Sequence, residues 1–357
     1  MKPLERLAAV FAFEEPDRVP IFDKLRNEQV ITHYAGEHFV PERAMEISLK
    51  ACRMALDCTG AINYPQVETT ETTRDGFVWL KERWTSWIKD RPFCDIAGLA
   101  VWVRQEIERL EGFDPRAGGR SAAQLKRRAE LQSALGDTVF LFGGVKVGLN
   151  DAYHHAGLEL FSFLMADDPA LVSRWLEAAF RANQRIFEAL APNPSVCPIA
   201  LIGEDIAGRT ATLFSPAFLR QEFFPRLREL VQMYHDSGLK VIYHSDGNLN
   251  RVMGDLVAAE IDGLNPIEIQ AGMDLRSLKE RYGRRLVLVG GMDASGLLPQ
   301  GSVEDVRAAT REALRVAAPG SGYILGSTTE LSDAIPPENI IAMWETTREL
   351  GRYPLAL

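Results

Sequence analysis

Cysteine is scarce in this chain: the four present, Cys52, Cys58, Cys94 and Cys197, form no C-x-x-C pair. That excludes a disulfide scaffold and a thiolate-bound structural zinc as organising devices, and reduced, mostly buried thiols are expected. Long apolar runs are missing too, so no segment reads as a membrane span. Positive charge is in deficit, with a net charge of -9, which argues against a nucleic-acid backbone as partner. No early G-x-G-x-x-G loop joins a strand to a helix, which weakens an open, doubly wound dinucleotide-binding sheet. There is no short internal repeat and no low-complexity linker. The first residues, Met1-Lys2-Pro3-Leu4-Glu5-Arg6, become charged too early for a secretory signal, so a cytoplasmic protein is expected.

What is present is ordinary globular material, 46% hydrophobic and 25% charged, in a chain of 357 residues. That length suits one large α/β domain spanning residues 1–357. The richest stretch runs from Gly203 to Glu268. It holds three polar clusters, Gly203-Glu204-Asp205, His244-Ser245-Asp246-Gly247-Asn248 and Gly263-Leu264-Asn265-Pro266-Ile267-Glu268, each ending a short apolar run. Between the first two, Ser215 reads as an N-cap and Pro216 as the first turn of a helix that Gly238 stops. Strand, helix and strand with ionisable residues at the strand ends is the layout of a parallel α/β active-site edge.

Along the chain, Leu4–Phe13 reads as a short helix and Val19–Phe22 as a first strand followed by Asp23, Lys24, Arg26 and Glu28. A helix is expected over Pro41–Leu56, then a weak second strand over Cys58–Tyr64 ending near Asn63. The Trp79, Trp84 and Trp87 segment lacks helical spacing and predicts an antiparallel excursion near residues 77–90. Its tryptophans either shape a pocket or pack as large apolar groups. Val139–Val145 is a continuous apolar run, as in a strand covered on both faces. Asp168 caps a helix begun by Pro169, and Ser195–Gly203 is the fourth strand. Later strands are expected near residues 242, 263, 288 and 324, with a Ser302/Asp305 capping box and a closing helix over Pro337–Leu350. Eight strands alternating with helices predict a (β/α)8 TIM barrel.

Several ordered segments carry a family resemblance: Ser215-Pro216-Ala217-Phe218, His244 with Gly247-Asn248, Gly263-Leu264-Asn265-Pro266, Gly290-Gly291-Met292-Asp293 and Gly322-Tyr323-Ile324-Leu325. In these the chain resembles the superfamily of uroporphyrinogen decarboxylase and the cobalamin-dependent methyltransferases. The resemblance implies a TIM barrel, in agreement with the strand pattern. Three departures matter. In place of the decarboxylases' arginine-rich segment after the first strand stands Phe22-Asp23-Lys24-Leu25-Arg26-Asn27-Glu28, leaving Arg26 as one clamp. The position matching their catalytic aspartate is Asn63, whose amide cannot supply an anion. Where the methyltransferases hold zinc through H-x-C and a later cysteine, this chain has His244-Ser245-Asp246 and, near the later position, Thr329-Glu330.

The resemblance therefore implies an oxygen-rich metal site, with His244, Asp246, Glu204 and Glu330 as candidate ligands for zinc or another divalent ion. His244, Asp246, Glu204 and Asp205 are the candidate catalytic residues. Glu204 and Asp205 either act as an acid pair or cap the following turn. Asn63, Asn265, Asp293 and Arg26 are candidate contacts to a bound cofactor or substrate, and Asp293 alternatively bonds local amides. The expected activity is transfer of a methyl group from a small methylated substrate, such as a methoxylated aromatic, to a corrinoid on a separate protein. The alternatives are a decarboxylase or other lyase acting on a carboxylic acid, or a non-catalytic small-ligand barrel. Expected partners are the small-molecule substrate and the corrinoid protein, with no nucleic acid or membrane, and with homodimerisation open to it.

Overall fold

The computed structural model describes residues 1–143 and 145–356, apart from the side chain of Arg120. Five parallel strands lie side by side in chain order: Ile199–Gly203, Lys240–His244, Gly263–Asn265, Val287–Met292 and Tyr323–Ser327. A second parallel pair joins Cys58–Thr59 to Val139–Phe140. Single parallel bridges link Ile21 to Leu325, Phe22 to Cys58 and Phe142 to Ala200. Helices cross between successive strands, and the whole is an α/β TIM-barrel-like fold. The strand cores are apolar on consecutive residues and buried, as for Val287-Leu288-Val289 and Tyr323-Ile324-Leu325, because helices cover one face and neighbouring strands the other. No helix is long and apolar enough to cross a membrane among the described residues.

Local signals place many elements. Asp168 accepts from Leu171 N at 3.0 Å to start the helix Pro169–Leu190. Ser302 and Asp305 form the reciprocal box that opens Val303–Ala317. The helix led by Ser215 differs from expectation, because a π turn over Leu219–Phe223 separates Pro216–Phe218 from Phe224–Asp236. Pro225 has no N–H, and its ring crowds the preceding turn, so the regular ladder cannot pass. The guanidinium of Arg226 takes the Glu222 carbonyl instead.

The barrel's first half is more fragmentary than its pattern suggests. The second strand is Cys58–Thr59 rather than Cys58–Tyr64, and the third stops at Phe140 with one further bridge at Phe142. Gly144, in the run expected to be strand, lies outside the described residues. A helix missed in the charged segment spans Glu28–Ala35, with Asn27 accepting from Val30 N at 3.0 Å and Gly36 closing it at φ 67°. The Asn27 amide also donates to Ser332 O and Ile335 O, both at 2.9 Å, so one side chain ties the first and last strand-end loops.

The antiparallel excursion has three strands, Thr69–Thr72, Val78–Lys81 and Ser86–Asp90, so it begins earlier than residue 77. It is pinned to the barrel's last loop, where Trp84 Nε1 donates to Asp333 Oδ2 at 2.6 Å and Arg83 pairs with the same carboxylate at 3.2 Å. Trp87 is left about half exposed.

Two buried carboxylates knit the barrel ends. Asp57 accepts from Arg6 at 2.5 Å, from both Arg18 Nη atoms at 2.7 and 2.9 Å, and from Ile21 N at 2.8 Å. Asp23 accepts from Ser327 N at 2.9 Å, from the Ser327 hydroxyl, and from Trp344 Nε1 at 2.7 Å. Burial pushes the Asp23 carboxyl up to about 6, despite these donors. The folded protein then holds this proton where an unfolded aspartate has lost it. Stability from this group is full below the ordinary aspartate range and is lost as pH rises to about 6, by roughly 2–3 kcal/mol. Urea unfolding from acidic to neutral pH should show that slope, and Asp23→Asn should lack it, whatever its absolute stability.

Candidate functional site

Strand register assembles the site. Gly203 pairs with His244, and His244 pairs with Asn265, so the polar residues ending three consecutive strands share one edge. Successive side chains point to opposite sides, which separates Glu204 from Asp205 and puts His244 and Asp246 together. His244 Nε2 lies 3.8 Å from Asp205 Oδ1 and 3.8 Å from Asp246 Oδ1. Its other nitrogen, Nδ1, is 2.6 Å from Asn265 Oδ1. One donor atom from each of Asp205, His244 and Asp246 lies within 4.8 Å of the others.

The Asp246 turn leaves little room. Gly247 has φ 91°, and a Cβ there would fall 2.6 Å from Ala207 C and Gly208 O, so glycine is needed for this close approach. Asp246 N donates to Asp205 Oδ1 at 2.9 Å and Gly247 N to Glu268 Oε2 at 2.6 Å. Asp246 Oδ1 is itself enclosed and has no hydrogen-bond partner among the described residues. Burial, then the neighbouring Asp205, Glu268 and Glu330 carboxylates, push its carboxyl up to about 7, with Lys24 opposing. Burial and then Lys24 push His244 below its usual range, although Asp205, Asn265 and Glu330 pull the other way, which favours the neutral imidazole at neutral pH.

The remaining expected site residues fall into two groups. Glu330 and Arg26 stand beside the cluster. The Glu330 carboxylate sits 3.6 Å from Lys24 Nζ and 3.4 Å from Arg26 Nη2. Burial opposes its ionisation, but the two cations hold it below the usual carboxylate range. Arg26 Nε and Asn63 Nδ2 are enclosed with no hydrogen-bond partner among the described residues.

Glu204 and Asp293 are spent on backbone. Glu204 is fully buried and its two oxygens accept from Gly148 N at 2.5 Å and Asn150 N at 2.8 Å, on the far side from His244. Burial pushes its carboxyl up to about 7, yet the geometry makes it a cap on the helix Leu149–Ala156 rather than a ligand in the His244 cluster. Asp293 accepts from Ser295 N, Gly296 N, Leu297 N and Gln270 Nε2 at 2.8–3.1 Å, which fills its oxygens. Of the two readings of Asp293, local amide bonding is the one its bonds match.

Two contributors were not among the expected site residues. Asn150 Oδ1 accepts from Asp205 N at 3.3 Å and from the Tyr153 hydroxyl at 2.7 Å, bracing the strand end that carries Asp205. Nothing local marks Asn150, since its partner is 55 residues away. Lys24 was visible in the charged run after the first strand, and its two-residue spacing from Arg26 could have shown that both side chains leave on one side.

The donor set suits a divalent cation. Neutral imidazole and carboxylate oxygens are ordinary ligands for zinc and harder ions, and such ligands stand about 2.0–2.2 Å from the metal. The 3.8 Å gaps are too long for hydrogen bonds and leave space between the three donor atoms. No sulfur joins them, because Cys52, Cys58 and Cys197 are buried elsewhere and Cys94 is an exposed thiol.

Comparison with known proteins agrees with this architecture. A solved methyltransferase from Methanosarcina mazei superposes with a TM-score of 0.68 at 20% identity, covering 98% of this chain and 99% of that one. A xylose isomerase-like TIM-barrel protein from Mycobacterium smegmatis, solved with magnesium, matches at TM-score 0.35 and 15% identity over 72% of this chain and 90% of its own. The first likeness is one of fold, and the second is too distant to carry anything. No curated protein matches the chain. The family model described as uroporphyrinogen decarboxylase (URO-D) matches residues 97–350, well over half of the sequence. The chain belongs to the uroporphyrinogen decarboxylase family.

Proposed function

We propose that this chain is a single-domain, closed (β/α)8 barrel that serves as a methyltransferase component. The parallel bridges at Ile21, Phe22 and Phe142 support closure, since together with the paired strands they link all eight in a ring. The substrate is a small methylated molecule, such as a methoxylated aromatic, and the acceptor is a corrinoid carried by a separate protein. The observation that carries this reading is the enclosed Asp246 oxygen without a partner, 3.8 Å from the neutral His244 Nε2, with Asp205 at the same distance. That constellation supports a site for zinc or another divalent ion held by His244, Asp205 and Asp246.

A cation bound there would supply Lewis acidity to the methoxy or hydroxyl oxygen of the substrate. The chain's own residues bind and orient. Arg26 Nε and Asn63 Nδ2, without partners among the described residues, are the donors this reading assigns to substrate oxygens, and Lys24 places positive charge near the site. In the proposed reaction the methyl C–O bond would break with its electron pair kept on the oxygen, which would take up a proton from water, while the methyl carbon would bond to the cobalt(I) of the separate corrinoid protein, which supplies the new electron pair. Uroporphyrinogen decarboxylation is disfavoured by Asn63, an amide where an anion is needed.

Elemental analysis of protein purified without added metal tests the site, with about one divalent ion per chain expected. Mixing with a reduced corrinoid protein and a panel of methoxylated aromatics should then produce the absorbance of methylated corrinoid. No methylation across the panel would remove the methyltransferase reading. Turnover of a carboxylic acid without metal or corrinoid would replace it with a lyase, and tight binding without turnover would leave a ligand-binding barrel.

A further inference from the structure

The side chain of Asn265 is buried, and its two ends can be told apart by their neighbours. Nδ2 donates to Val289 O at 3.2 Å, on the next strand, which fixes the orientation of the amide. Oδ1 is therefore the atom 2.6 Å from His244 Nδ1. An amide oxygen only accepts, so the proton of that bond sits on Nδ1. If the neutral ring carried its proton on Nε2 instead, two lone pairs would face each other at 2.6 Å. With Nδ1 protonated, Nε2 presents its lone pair to the gap beside Asp205 and Asp246. Both carboxylates are 3.8 Å away, beyond hydrogen-bonding range, and no closer partner of Nε2 occurs among the described residues.

We infer that Asn265 is a positioning residue, holding His244 as the Nδ1–H tautomer so that the Nε2 lone pair points at the Asp205 and Asp246 oxygens. The inference deepens the metal reading above and rests on it for its purpose, because a ligating histidine needs a fixed tautomer and ring direction. The tautomer itself follows from the two hydrogen bonds alone, whether or not an ion binds. Val289 gives the arrangement rigidity, because the amide is anchored to a buried strand rather than to a loop.

The test is long-range proton–nitrogen NMR of the metal-free protein labelled with 15N-histidine, at about pH 8, where neutral imidazole is expected. The chain has six histidines, and His244→Gln identifies the signal of interest. The expected pattern is a protonated Nδ1 and an unprotonated Nε2. A proton on Nε2, alone or with Nδ1 also protonated, overturns the inference. Asn265→Leu removes the acceptor and should yield mixed tautomers and a 10–100-fold weaker affinity for zinc. Asn265→Asp keeps an oxygen at that place and should restore the Nδ1–H signature. Retention of a pure Nδ1–H signature in Asn265→Leu would also overturn the inference. A native Nδ1–H ring together with no zinc uptake in titration would sink the metal reading and leave the tautomer inference standing.

Discussion

Replacing His244 with alanine is expected to weaken divalent-metal affinity by more than about 100-fold, beyond the usual cost of disturbing an outer-shell partner. Binding to the folded state alone stabilises it, so the native protein at a metal concentration 100 times its Kd should gain about 2.7 kcal/mol, and His244→Ala should gain almost nothing. Asp246→Asn sharpens the comparison by reversing the sign. In metal-free protein, Asp246 is a carboxylate partly enclosed beside Asp205, Glu268 and Glu330, and charging it opposes folding. Asn at this position removes that repulsion, so the metal-free variant should be more stable than the native protein near neutral pH. Adding metal should reverse the order. Thermal unfolding with and without zinc or manganese reads both effects. Equal metal responses in all three proteins would exclude His244 and Asp246 as ligands.

Removing the Asp57 carboxylate is expected to destabilise the protein by about 3–5 kcal/mol, a large share of the stability of a typical domain. The group is 1% exposed and receives four hydrogen bonds, three of them from the guanidinium groups of Arg6 and Arg18. Asp57→Ala would leave the buried Arg6 without one of its two acidic partners and Ile21 N without an acceptor. The loss comes from the charges left behind more than from the ion pair itself. Asp57→Asn, which keeps one accepting oxygen, should fall between the native protein and alanine. Urea unfolding should show a shifted midpoint with little change in slope. Because the pair is enclosed, added salt should narrow the difference only slightly. A shift under 1 kcal/mol would mean that Arg6 finds compensation from Asp17, which already accepts from it at 2.7 and 2.8 Å.

The chain's periodicity determined a good deal by itself. The strands from Ile199 to Ser327 were legible because each is a short apolar segment, and the helices opened by Ser215, Ser302 and Pro337 carry start signals, whereas Met253–Ala258 and Leu297–Gln300 have no side-chain cap and went unread. Ser215, Asp168 and the Ser302/Asp305 box act over three residues, so their effect can be read without knowing the fold. His244 and Asp246 were paired through their resemblance to an H-x-C ligand motif, and a spacing of two at a strand end puts both side chains on one side. In the first half, strands of only two residues leave too few positions for any period to show, and the helix Glu28–Ala35 was hidden in a charged segment.

What the tertiary structure decided is how each polar group is used. Glu204 and Asp205 are adjacent carboxylates in the sequence, yet one caps the helix Leu149–Ala156 and the other faces His244. Asp293 sits at a strand end like the others and fills both its oxygens with nearby donors. Asn150 and Asn265 act through partners on other strands and loops, at separations no local pattern reaches. Periodicity reports which face a side chain leaves from, because backbone geometry sets that locally. Whether a carboxylate meets an amide, a cation or open space depends on the segment packed against it, and only the folded chain supplies that neighbour.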